Sequence, residues 1–352
     1  MAQINKPSEY FNTKLYTGTG STNAITGVGF QPDFVWLKRR DSTASHALFD
    51  INRGVNKQLR TNTSGVEETV SWFPSFDADG FTVSTTESDG NASGGTYASW
   101  NWLGGGTGVS NTDGSITSTV SANTTSGFSV VSWTGDGSAS GAKTVGHGLG
   151  VTPKFVIVKK TSASAAWWIG IDIASWNWNT DYINFTTTAK QSDASGTVFY
   201  SAPTSLIINL GVELNASSAN YIAYCFAEKK GFSKFGSYVG NGNADGTFIY
   251  TGFKPAMIIF KIYSGGTGSW VMYDNKRNTF NVVNSALFPD LSNAEETADN
   301  GFECEVDMLS NGFKLRGTGN AYWMNYSGWN YMYMAFAENP LVGTNGVPTT
   351  AR

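Results

Sequence analysis

Apolar residues along this chain fall in short unbroken runs separated by turns rich in Gly, Asn, Asp and Ser, with no sustained helical spacing. Three of these runs share a frame, each opening on a proline and closing on a lysine six positions later: Pro32-Asp-Phe-Val-Trp-Leu-Lys38, Pro153-Lys-Phe-Val-Ile-Val-Lys159 and Pro255-Ala-Met-Ile-Ile-Phe-Lys261. Proline fixes φ at a strand head where no ladder donor is needed. A continuous apolar run predicts a strand covered on both faces, and the closing lysine predicts its emergence into water. Upstream of each run stands an aromatic glycine turn: Tyr16-Thr-Gly-Thr-Gly20, Trp133-Thr-Gly-Asp-Gly137 and Tyr238-Val-Gly-Asn-Gly242. Downstream lies an aromatic strand: Tyr97-Ala-Ser-Trp-Asn-Trp102, Tyr221-Ile-Ala-Tyr-Cys-Phe226 and Tyr331-Met-Tyr-Met-Ala-Phe336. The proline-to-tyrosine separations are 65, 68 and 76 residues, so three ordered landmarks recur at nearly constant spacing.

Weaker echoes follow the same frame. Asp79-Gly80-Phe81 matches Asn311-Gly312-Phe313, and Leu48-Phe49-Asp50 matches Met272-Tyr273-Asp274, while the second copy shows Ser205-Leu-Ile-Ile-Asn209 where the Gly-Phe element would stand. Asp-Gly and Asn-Gly pairs between apolar runs are tight-turn signals. Together these features predict an all-β chain of three tandem antiparallel β-sandwich modules, jelly-roll or lectin-like, related by internal repeat. The expected division is an N-terminal arm at 1–14, modules at 15–103, 128–228 and 232–338, a glycine-rich linker at 104–127 and a C-terminal tail at 339–352. Within the linker, Ile116–Val120 reads as a possible strand. Only Lys229, Lys230 and Gly231 separate the second and third modules, which should therefore sit against each other.

Composition narrows the function. Aromatic and charged residues each make up 14% of the chain and the net charge is −4, so no basic track for a phosphate backbone exists and nucleic-acid binding is disfavoured. The densest basic spot, Lys38, Arg39 and Arg40, reads as strand-end charge. Two cysteines, Cys225 and Cys304, make no disulfide framework. No run is long enough to span a bilayer and no signal peptide is visible at the start, so no membrane insertion is expected.

Candidate chemistry is sparse. His46 and His147 are the only histidines, neither near a nucleophile elbow, and no Cys or His pair has zinc spacing, so neither a metal nor a cofactor is expected. Glu303, Glu305 and Asp307 alternate along one predicted strand as in some jelly-roll glucanases, but a solvent-facing strand edge is the preferred reading. The Asp- and Asn-rich turns at 77–80 and 241–246 are explained by turn chemistry ahead of calcium. The remaining signal is tryptophan. Trp167, Trp168, Trp176, Trp178, Trp323 and Trp329 lie outside the landmark strands and are candidates to stack on sugar rings or to form a protein interface, although plugging the ends of sandwich cores is the preferred reading.

Several quoted stretches resemble a family of virion-associated proteins of tailed phages, many of marine hosts. These are Ile-Asn-Lys-Pro-Ser-Glu-Tyr-Phe-Asn-Thr-Lys-Leu-Tyr-Thr-Gly near the start, Gly-Phe-Gln-Pro-Asp-Phe-Val-Trp-Leu-Lys, Phe-Gly-Ser-Tyr-Val-Gly-Asn-Gly-Asn-Ala-Asp-Gly-Thr-Phe, and the closing Tyr-Met-Ala-Phe-Ala-Glu-Asn-Pro. The resemblance implies a non-enzymatic structural protein of the virion, assembled in the host cytoplasm. A tail fibre or surface fibre that binds a host-surface glycan or protein receptor leads. A capsid decoration or cement protein with only virion partners is the alternative, and a polysaccharide depolymerase acting through the Glu303, Glu305 and Asp307 strand is demoted. It also implies other virion proteins as partners and a homo-oligomer, with a trimer favoured.

Overall fold

A computed structural model describes residues 3–138, 143–186, 188–192, 195–297, 305–317 and 323–349. The protein is all-β, built of antiparallel sheets packed face to face in a sandwich-like arrangement. In the first repeat the sheet order is Phe11–Thr17, Thr96–Trp102, Phe34–Arg39, Ala47–Asp50. The third repeat places Ser233–Val239, Asn330–Pro340, Phe253–Ser264 and Val271–Asp274 in the same order. The second does so with Phe128–Thr134, Asn220–Phe226, Phe155–Lys160 and Trp167–Ile171, extended on one edge by Ser118–Asn123 and Val109–Asn111. Each of these sheets is accompanied by a three-stranded one, for example Asn23–Ile25, Gly80–Val83 and Ser75–Asp77.

The apolar runs are covered on both faces, and alternation along the strand decides by what. Val35 and Leu37 pack with Phe81 and Val83 of the accompanying sheet and with Phe73 from the loop ahead of Ser75–Asp77, as Ile258 and Phe260 pack with Phe313 and Leu315 in the third repeat. The intervening residues point the other way. Phe34 and Trp36, Phe155 and Ile157, and Met257 and Ile259 all belong to one hydrophobic core shared by the three repeats. At its centre the last residues of the three aromatic strands meet. Trp102 lies 6.2 Å from Phe226 and 5.4 Å from Phe336, and Phe226 lies 5.7 Å from Phe336 between ring centroids. The repeats are therefore not independent sandwiches strung along the chain. They close on one another in a ring around this aromatic triangle.

This corrects the reading of the proline-strand lysines. Lys38, Lys159 and Lys261 share strand parity with the residues that face the centre, and all three are fully buried. Each Nζ donates to a backbone carbonyl of a neighbouring repeat: Lys38 to Ser292 at 3.3 Å, Lys159 to Ser64 at 3.0 Å and Lys261 to Thr186 at 2.6 Å. One strand over, His46, Trp167 and Trp270 do the same. His46 Nε2 donates to the Phe288 carbonyl at 2.8 Å, Trp167 Nε1 to Arg60 at 2.9 Å and Trp270 Nε1 to Asn184 at 2.8 Å. The His46 tautomer follows from its other nitrogen, which accepts from Trp36 Nε1. The first repeat thus grips the third, the second grips the first and the third grips the second, a head-to-tail arrangement that closes on itself. Of the supposed strand-end charges, Lys38 is buried, Arg39 pairs with Asp41 at 3.0 Å and Arg40 pairs with Glu295 at 2.9 Å.

Two further expectations change. The segment 104–127 is no free linker, because Ser118–Asn123 pairs with Phe128–Thr134 and Val109–Asn111 adds outside it. The N-terminal segment is no free arm. Ile4 is buried and donates its N–H to the Lys230 carbonyl at 3.0 Å, while Asn5 Nδ2 donates to Thr344 Oγ1 at 3.0 Å, so the two ends of the chain meet at the junction of repeats.

Candidate functional site

The tryptophans singled out in the sequence are mostly interior. Trp167, Trp168, Trp176 and Trp178 are 2 to 8% exposed. Trp178 covers Gly170 and meets Phe199 edge-on at 5.1 Å, and Lys190 Nζ lies 5.9 Å over Trp176. These four are core and inter-repeat contacts rather than a stacking surface, because burying such rings gains more than water contact would. Trp323 and Trp329 are half-buried against the core of the third repeat; Trp323 meets Phe288 edge-on at 5.3 Å, and Trp329 packs on Tyr326 at 4.4 Å. Glu303 and Cys304 lie outside the described residues. Asp307 is buried and ion-paired to Arg316, so the alternating-acid strand brings no pair of free carboxylates together among the described residues. Cys225 is buried, which pushes its thiol up to about 12. His147 is buried in its turn, accepting from the Leu149 N–H at Nδ1. Among the described residues, no three His, Cys, Asp or Glu side chains gather as a metal site would need.

The exposed aromatic that matters stands elsewhere. After Val271–Asp274 the chain enters an Asn-rich loop whose base is fastened from three sides. Buried Arg277 donates to Asp274 Oδ2 at 2.6 Å, to the Ser285 carbonyl at 2.8 Å and to the Met272 carbonyl at 3.0 Å. Asn278 Oδ1 accepts from the Ser285 N–H at 2.8 Å. Asn281 imitates a strand residue, accepting the Met308 N–H at 2.9 Å and donating to its carbonyl at 3.1 Å. With its flanks held, the loop presents Phe280 at 75% exposure and Val282 at 40%. An exposure that high for a phenylalanine in a fastened loop is costly in water and is the kind of apolar feature that marks a binding site.

Phe280 rims a cleft of about 650 Å³ lined also by Asn275, Lys276, Lys254, Glu338 and Asn339. Asn275 is 9% exposed, and its Oδ1 is buried without a hydrogen-bond partner. Buried amide oxygens are normally satisfied, so an orphan lining a cleft suits a ligand donor. Lys254 and Glu338 form an ion pair at 2.6 Å across the adjacent strands. An aromatic face beside an amide and a charged pair offers apolar contact and directional hydrogen bonds at once, the combination a sugar ring requires. Among the described residues lining the cleft, Glu338 is the only carboxylate, where glycoside hydrolysis employs a pair of acids. Phe280 stands apart from the tryptophan-dense stretches, and its signal in the sequence is a lone aromatic inside Asn-Lys-Arg-Asn-Thr-Phe-Asn.

No curated protein and no solved structure matches the chain. One family does, over residues 6–340, a span that takes in all three repeats as a single unit. The chain belongs to that family, a domain of unknown function designated DUF7483.

Proposed function

We propose that this chain is a non-catalytic surface protein of a phage virion, a tail or surface fibre component that attaches to a host-surface glycan through the cleft rimmed by Phe280. The single observation that carries the binding reading is the pairing of a strongly exposed phenylalanine with the buried, unpartnered Asn275 oxygen in one cleft. The likeness of its repeats to virion proteins supports the setting, and the lone carboxylate of the cleft supports binding without hydrolysis. A glycan array probed with the purified full-length protein tests both halves. Selective binding is expected, weakened at least about tenfold in Phe280→Ala with an unchanged melting curve. Binding that Phe280→Ala leaves intact, or release of reducing ends from a bound polysaccharide, overturns the reading.

A further inference from the structure

A second cleft, of about 670 Å³, lies where the second and third repeats join. It is lined by Lys154, Lys229, Lys230 and Lys234, with Glu228 the only acid among its described lining residues. Four lysines in one concavity are out of proportion in a chain whose net charge is −4. Tertiary structure gathers them: Lys154 follows the second proline, Lys229 and Lys230 are the connector between repeats, and Lys234 opens the next sheet. The connector is held in place by the N-terminal segment through the bond from Ile4 to the Lys230 carbonyl. Lys229 is buried with its Nζ donating to the Thr124 carbonyl at 2.6 Å, Lys234 pairs with Glu228 at 2.8 Å and Lys154 pairs with Asp172, while Lys230 is exposed, so Lys154, Lys230 and Lys234 are the cations presented to the cleft. Low-dielectric walls concentrate the field of such a cluster.

An aromatic strip adjoins the cations. Tyr250 lines the cleft at 59% exposure. Phe248, two residues earlier on the same strand and therefore on the same face, is 44% exposed. Ile249 between them turns inward to the core. Two outward aromatics on a short strand beside a cationic cleft suit a ligand that is apolar on one face and anionic along its edge. An acidic sugar chain has this form, with ring C–H faces for Tyr250 and Phe248 and carboxylate or sulfate groups for the lysines.

We propose that this junction cleft binds an acidic saccharide, its carboxylate or sulfate held by Lys154, Lys230 and Lys234 and a neighbouring ring stacked on Tyr250. The site is distinct from the Phe280 cleft and does not depend on it. Calorimetric titration of the full-length protein with an oligogalacturonate, a sulfated heparin-type hexasaccharide and a neutral dextran oligomer tests it. At least one acidic probe is expected to bind and the neutral one not. Affinity should fall severalfold when salt is raised from about 50 to 300 mM. Lys230→Glu and Tyr250→Ala, both at exposed positions, are each expected to weaken binding at least about tenfold while Phe280→Ala leaves it unchanged. Which acidic probe binds identifies the anion. Failure of both acidic probes, equal binding of the neutral one, or binding indifferent to Lys230→Glu overturns the proposal. A loss caused by Phe280→Ala alone would assign the saccharide to the other cleft and likewise overturn it.

Discussion

Lys38, Lys159 and Lys261 hold ammonium groups away from water at the seams between repeats. Burial pulls Lys38 and Lys159 down to about 8 and Lys261 to about 7. A lysine whose folded pKa is depressed is held by the unfolded chain as a cation over a pH range where the native state has released the proton. Unfolding then takes up protons, and stability rises with pH across that range. The melting temperature should accordingly climb between about pH 7 and pH 9, and Lys261→Met should flatten the climb. A melting temperature that falls across this window contradicts the assignment. Removing one grip outright, as in Lys159→Ala, takes the Nζ donor from the Ala165 carbonyl and one of three donors from the Ser64 carbonyl, and opens a cavity, a loss of about 3 kcal/mol in denaturant unfolding. A second seam device is the buried acid. Asp50 accepts from Tyr224 Oη at 2.8 Å and from Arg53 Nε at 2.5 Å, and Asp274 accepts from Trp100 Nε1 at 3.2 Å and Arg277 Nε at 2.6 Å. At the third seam the corresponding positions are Ile171, Ala174 and Met334, so donor, acid and arginine are absent together. Asp50→Ile alone leaves buried Arg53 with the longer Glu67 contact at 3.4 Å as its ion pair and should cost about 3 kcal/mol, whereas the triple change Asp50→Ile, Arg53→Ala, Tyr224→Met should recover more than half of it. Additive losses in the triple variant would refute that account.

At the level of elements, the recurring landmarks are the parts of one joint made three times. The aromatic that opens each repeat stacks on the tyrosine that begins its closing strand: Tyr16 on Tyr97 at 5.1 Å, Trp133 on Tyr221 at 5.2 Å and Tyr238 on Tyr331 at 5.0 Å. Each of these tyrosine hydroxyls accepts a backbone N–H five residues upstream, from Ala92, Ala216 and Tyr326. A buried asparagine six residues before the tyrosine (Asn91, Asn215 or Asn325) accepts from the glycine turn, at Thr19, Asp136 and Asn241. The turn glycines Gly18, Gly135 and Gly240 run so close that a Cβ would stand 2.3, 2.3 and 2.4 Å from a backbone oxygen. Gly135→Ala must displace that backbone and is expected to destabilise by about 2–3 kcal/mol, read as a lower denaturant midpoint with unchanged slope. Tyr221→Phe keeps the stack and loses the hydroxyl's two hydrogen bonds, from the Ala216 N–H and to the Glu213 carbonyl, so about 1.5 kcal/mol is expected. Equal effects of the two changes would show that the joint does not depend on close backbone approach.

For the whole molecule, the shared core makes the ring one cooperative unit. A fragment such as 128–228 exposes the faces of Phe155, Ile157, Tyr224 and Phe226 that the other repeats cover. It should aggregate or remain unfolded, while the full chain melts in a single transition. Independent folding of the fragment, with a native-like melt, would break the ring into separable units. The contacts that join residues 3–5 to 342–344 seal the ring between its first and last repeats. A chain already arranged as three head-to-tail copies has the symmetry of a trimer within one polypeptide. Its two clefts nonetheless belong to the third repeat and to the junction leading into it, so binding is expected once per chain at each.

The local code was readable directly. Strands, turns and the threefold recurrence follow from alternation, proline heads and glycine turns, all set by neighbours a few residues away. A strand apolar on both faces announces two coverings but does not say what provides the second. That was decided by partners far along the chain: the carbonyls reached by Lys38, Lys159 and Lys261 lie 254, 95 and 75 positions away. The same distance effect decided between the two readings of Trp167, Trp168, Trp176 and Trp178, turning them inward, and left Phe280 outside. Whether a side chain meets water depends on which repeat docks against it, and only the closed ring settles that.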